Sequence, residues 1–90
     1  MSSVPKVTLY AVSTCHHCKA VKELLTSANV ELAVIEVDHL DETERKEALQ
    51  KVRQVNHQVS FPTAIIGDKV VVGNKAHQIK DALASLNKGE

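Results

Sequence analysis

Cys15-His16-His17-Cys18 brings together the only two cysteines of a 90-residue chain, with two imidazoles between them. Thiols three residues apart lie about one helical turn from each other, close enough to join in a disulfide after a small local adjustment. Such a pair carries electrons. One thiolate attacks a substrate disulfide, a mixed disulfide forms, and the second thiol resolves it.

The pattern around the pair assigns the roles. A β-rich stretch, Val7-Thr8-Leu9-Tyr10, runs into a loop, and a helical pattern starts at Cys15. The free N–H groups and partial positive charge at a helix start favour a thiolate. Cys15, at the exposed tip, is therefore expected to be the nucleophile, and Cys18, one turn inside, the resolving thiol. His16 and His17, when protonated, would add positive charge beside the thiolate and lower its pKa. Replacing them with Pro and Tyr is then expected to raise the pKa of Cys15.

Other chemistries use the same residue types. Attachment of a c-type haem requires His directly after the second Cys, where this chain has Lys19. Zinc, copper or an iron-sulfur cluster could use Cys15 and Cys18 with a local histidine and a remote one such as His39, His57 or His77, or with a second subunit. Successive residues on one helical turn point about 100° apart, so the four neighbours cannot all face one ion. A redox-controlled binding module, in which the pair switches a partner surface, is a third reading.

The elements that must hold the pair follow from periodicity. The first strand is expected from about Val4 to Tyr10. Ala20, Val21, Leu24, Leu25 and Ala28 then mark one face of a helix ending near Asn29. Glu31 to Val37 is nearly continuous in apolar residues, as in a strand covered on both faces. Asp41 to Glu44 has capping-box spacing and opens a second helix whose buried stripe is Ala48, Leu49, Val52 and Val55. Asn56 to Ser60 reads as a polar loop. Beyond it, Thr63-Ala64-Ile65-Ile66 turns at Gly67-Asp68 into Lys69-Val70-Val71-Val72. After Gly73-Asn74, the residues Ala76, Ile79, Ala82, Leu83 and Leu86 repeat at helical spacing up to Asn87 and Gly89.

The order is β-α-β-α-β-β-α. It predicts an α/β domain built on a four-stranded mixed sheet, with the first two strands parallel through a right-handed crossover, the last two a hairpin, and helices on both faces. Residues 1–90 read as one domain.

Composition bounds the partners. Eleven basic residues balance eleven acidic ones, and aromatic residues make up 2% of the chain, so neither a basic field nor a stacking platform is available for nucleic acid or an anionic membrane. A hydrophobic fraction of 43% supports a core without a disulfide framework, and no apolar leader opens the sequence. The chain is expected to be a cytoplasmic monomer.

The combination resembles the glutaredoxin family of the thioredoxin fold over about Val7 to Leu86. Three pieces carry it: the first strand leading to Cys15-His16-His17-Cys18, then Val59-Ser60-Phe61-Pro62-Thr63, then the hairpin ending in Val72-Gly73-Asn74. The resemblance implies a cis peptide bond between Phe61 and Pro62, with the backbone of Phe61 offered to a substrate main chain. It also implies thiol-disulfide exchange without a bound cofactor. Partners would be disulfide-bearing proteins or small disulfides, and a reductant, either glutathione as co-substrate or a flavoprotein reductase. Val12 stands where glutathione-using members carry Lys, and Gly73-Asn74-Lys75-Ala76-His77 replaces their Gly-Gly and polar or acidic residue. A helix start at Gly73, Asn74 and Lys75 would be the site for a glutathione carboxylate.

Overall fold

The computed structural model describes residues 6–28 and 30–88. The strands are β1 (Lys6–Ala11), β2 (Glu31–Glu36), β3 (Thr63–Ile66) and β4 (Lys69–Val72). The helices are α1 (His16–Ser27), α2 (Glu42–Val55) and α3 (Ala76–Lys88), and a 3₁₀ turn, Val37–His39, follows β2. The sheet order is β2-β1-β3-β4, with β1 parallel to β2 and antiparallel to β3, and β3 antiparallel to β4. This is the expected thioredoxin-like fold.

Strand alternation divides the core into two layers. Val7, Leu9 and Ala11 of β1, with Ala64 and Ile66 of β3, join Cys18, Val21 and Leu25 of α1 and Ile79 and Ala82 of α3. Tyr10 turns to the other face, where it meets Val37 and the α2 residues Ala48 and Val52, with Ile35 and Ile65 packed alongside. Helices therefore cover both faces, α1 and α3 on one and α2 on the other.

Local chemistry sets the boundaries. The Asp41 carboxylate caps α2 by accepting the Glu44 N–H at 2.8 Å, as its spacing predicts. Gly67, at φ +63°, supplies the backbone needed by the two-residue turn between β3 and β4.

Several expectations change. The first strand reaches Ala11, one residue beyond the expected end, while Val4 and Pro5 lie outside the described residues, as do Asn29 and Gly89. β2 stands at the sheet edge with no fully buried residue, and Ala33 is exposed, because β1 pairs with only one of its sides. Val37 leaves the strand and enters the 3₁₀ turn. Ala20, Val55 and Ala76 face solvent, each lying on the outer flank of its helix; Ala is too small, and Val55 too near a helix end, to fix the phase.

Asn56, expected in a polar loop, is buried. Its amide donates to the Ser60 carbonyl at 3.3 Å, the Ser60 hydroxyl at 3.0 Å and the Thr63 hydroxyl at 3.3 Å. The loop it ties together contains Val59 at φ +50°, a region that a β-branched residue rarely adopts.

Candidate active site

Sheet register gathers the chemistry at one end. Ala11 lies opposite Glu36, Tyr10 opposite Thr63, and Thr63 opposite Val72. The segments just beyond those partners, Val12 to Cys15, Val37 to His39, Phe61-Pro62 and Gly73, therefore emerge side by side. Open α/β sheets bind their ligands at such strand ends.

Cys15 is the N-cap of α1, with φ −90° and ψ 120°, and its Sγ accepts the Cys18 N–H at 3.2 Å. Cys15 is half-buried, Cys18 is buried, and both are free thiols. Their protonation is pushed in opposite directions. The Cys15 pKa is lowered, chiefly by the hydrogen bond from the Cys18 thiol, with further help from the backbone N–H groups of Cys18 and His17; burial opposes this more weakly. Burial pushes the Cys18 thiol up to about 11, helped by its hydrogen bond to Cys15 and by the charges of Cys15 and Asp38. At neutral pH the outer sulfur is the one disposed to ionise, and the inner one holds the proton.

His16 and His17 are exposed. His17 acts on Cys15 through its backbone N–H, not through its ring. Solvent screens exposed charges strongly, so the imidazoles have little leverage on the sulfur. Replacing His16 with Pro and His17 with Tyr, which keeps the His17-position N–H, is expected to slow alkylation of Cys15 at neutral pH by no more than about threefold, half a pKa unit. A larger slowing in a pH-resolved alkylation assay would return the tuning to the rings.

A cleft of about 260 Å³ opens beside the pair, lined by Ala11, Val12, Ser13, Cys15, Cys18, Lys19, Lys22 and Glu36. Lys19, Lys22 and Glu36 were not singled out by the sequence pattern, although the parallel β1-β2 pairing places Glu36 at the end of β2 beside the loop after β1.

The Phe61-Pro62 peptide is cis. Pro62 is fully buried, and Phe61 packs against both core layers, sharing the first with Cys15. The Pro62 carbonyl accepts the Gly73 N–H at 2.8 Å, which joins this loop to the start of α3. A Cβ at Gly73, whose φ is +89°, would make only an ordinary contact with Lys75 Cε at 3.8 Å, so its backbone angle, not crowding, favours glycine. The N–H of Lys75 is also engaged, by the Gly73 carbonyl at 3.0 Å. Two of the donors expected to meet a glutathione carboxylate are thus used within the chain, and the Lys75 ammonium and the first-turn N–H groups of α3 are what such a group would meet.

Among the described residues, no three His, Cys, Asp or Glu side chains converge as a metal cage. His39 pairs instead with Glu36, Nδ1 to Oε1 at 3.1 Å. No helix among the described residues is long and apolar enough to cross a membrane.

The sequence profile of the glutaredoxin family matches residues 7–71. This chain belongs to the glutaredoxin family. Solved structures agree with that membership. The methanoredoxin of Methanosarcina acetivorans is 42% identical, with a TM-score of 0.83, and the match covers 88% of this chain and 84% of that one. The glutaredoxin of Methanosarcina mazei Go1 is 41% identical, with a TM-score of 0.82, over 91% of this chain and 84% of that one. The glutaredoxin of Archaeoglobus fulgidus is 35% identical, with a TM-score of 0.82, over 88% and 86% of the two chains. Comparison with curated protein sequences returned no match. Family and fold together support a thiol-disulfide oxidoreductase type of activity for this glutaredoxin.

Proposed function

We propose that this glutaredoxin is a dithiol enzyme that reduces protein or small-molecule disulfides through Cys15 and Cys18. The observation that carries the reading is the opposite bias of two neighbouring thiols, Cys15 lowered, half-buried and accepting the Cys18 N–H, Cys18 raised and buried.

The Cys15 thiolate attacks one sulfur of the substrate disulfide, forming the mixed disulfide and expelling a thiolate that takes a proton from solvent. That step consumes the negative charge of Cys15. Two of the influences that keep Cys18 protonated, its hydrogen bond to the Cys15 sulfur and the Cys15 charge, vanish with it. Cys18 then loses its proton, attacks the Cys15 sulfur and releases the second substrate thiolate. Two electrons have passed to the substrate, and the chain is left as the Cys15–Cys18 disulfide. Two glutathione molecules, giving glutathione disulfide, or a flavoprotein reductase would restore the dithiol. The cis loop supplies the docking edge, with the Phe61 backbone placed to pair with a substrate main chain.

The test is disulfide reduction by the purified protein with glutathione and, side by side, with a thioredoxin-reductase-type donor. Turnover with at least one donor is expected. Absence of turnover with both, from a protein whose two thiols titrate as reduced, would overturn the reading.

A further inference from the structure

The 3₁₀ turn after β2 grips the loop that presents Cys15. The Asp38 carboxylate accepts the Ser13 N–H on Oδ1 at 3.0 Å, and its Oδ2 accepts the Ser13 hydroxyl. These contacts join segments 25 residues apart in sequence. Ser13 lies inside the turn closed by the Cys15 N–H on the Val12 carbonyl at 3.0 Å, and the Val12 backbone is also hydrogen-bonded to the Cys18 thiol. One two-pronged contact therefore fixes a loop whose two ends meet both sulfurs.

The geometry points to Asp38 as a positioning residue for the redox pair: by holding the N–H and hydroxyl of Ser13, it sets the turn that places Cys15 Sγ over the Cys18 N–H. Nothing in the exchange chemistry requires a carboxylate there, and Asp38 does not line the cleft. Its action on Cys15 is transmitted through Ser13, while its charge also helps to keep Cys18 protonated. The contact persists through neutral pH, because the same Ser13 hydrogen bonds hold the Asp38 carboxyl below its ordinary range. Protonation would loosen the grip only in acid.

The inference rests on the reading of Cys15 as the attacking thiol, and its test is chosen to read that sulfur whether or not the protein turns over disulfides. Geometry and charge predict opposite signs. If Asp38 acted only as a nearby negative charge, removing it would lower the Cys15 pKa; if it positions the loop, removing it raises that pKa by releasing the sulfur from its N–H donors.

The experiment is the pH profile of iodoacetamide alkylation of Cys15, resolved by peptide mass spectrometry, in the full chain. Asp38→Ala is expected to raise the midpoint by about one unit and slow alkylation at neutral pH about tenfold. Asp38→Asn, which keeps an acceptor for the Ser13 N–H, is expected to restore most of the rate. A folded Asp38→Ala protein with a wild-type or lowered midpoint overturns the proposal. Should Asp38→Ala not fold, Ser13→Ala decides: a midpoint raised by a few tenths of a unit supports the proposal, and a wild-type midpoint overturns it.

Discussion

Cys15→Ser is expected to lose disulfide reduction by at least about a thousandfold, because the other thiol lining the cleft, Cys18, is buried and holds its proton at neutral pH. Cys18→Ser should behave differently. The Ser hydroxyl still offers a donor to the Cys15 sulfur, so the first attack survives, while intramolecular resolution is lost. The mixed disulfide on Cys15 should then persist at least about a hundredfold longer, until an external thiol cleaves it. Mass spectrometry of the non-reduced protein reads both outcomes. Cys15→Ser should carry no adduct, and Cys18→Ser should carry one substrate moiety on Cys15. Reductase activity retained by Cys15→Ser would dismiss the assignment of roles, and so would an adduct on Cys18 in place of Cys15. The asymmetry follows from the structure, since Cys18 is buried at 2% exposure and its thiol is pushed up to about 11. An incoming disulfide meets the outer sulfur first and finds the more ionised of the two.

The redox pair was legible in the sequence because its logic is local. Two thiols one turn apart at a helix start define their own geometry, and the capping aspartate of α2 is just as local. The parallel pairing of the first two strands and the closing hairpin were legible from the alternation of elements, whereas the β1-β3 pairing that joins them was not. What escaped depends on register. Ser13 and Asp38 are unremarkable as single letters, and only the parallel pairing of β1 with β2 brings the ends of the two strands together. The apolar run of β2 suggested a strand covered on both faces, and such a run does not tell an edge strand from an inner one. Asn56 misled for a related reason, since an amide in a loop reads as solvated unless the acceptors that surround it are known. The Phe61-Pro62 bond was expected from family resemblance, because the chain itself offers only a proline at a strand start.

Asn56→Ala is expected to be the costliest single polar change in the loop that carries Phe61 and Pro62. It removes donors to the Ser60 carbonyl, the Ser60 hydroxyl and the Thr63 hydroxyl, together with the acceptor of the Gln58 N–H at 3.2 Å. Thr63 is completely buried, so its hydroxyl cannot turn to water, though it retains its own donation to the Ser60 carbonyl at 2.6 Å. Stranding buried polar groups costs about 1–3 kcal/mol, and the lost contacts together should amount to roughly 2–3 kcal/mol. For a domain of this size that lowers the melting temperature by roughly 10–20 °C. Thr63→Val should cost less, because it removes an acceptor and a donor while preserving shape. The two effects should not add, since the second change acts on a network already broken by the first. Function should divide along the same line. Cys15 alkylation would stay near wild type because the sulfur is held by α1 and Val12, whereas KM for a peptide disulfide would rise as the docking edge loosens. Wild-type melting of Asn56→Ala would show that the loop is held by its apolar contacts at Val59 and Phe61 instead.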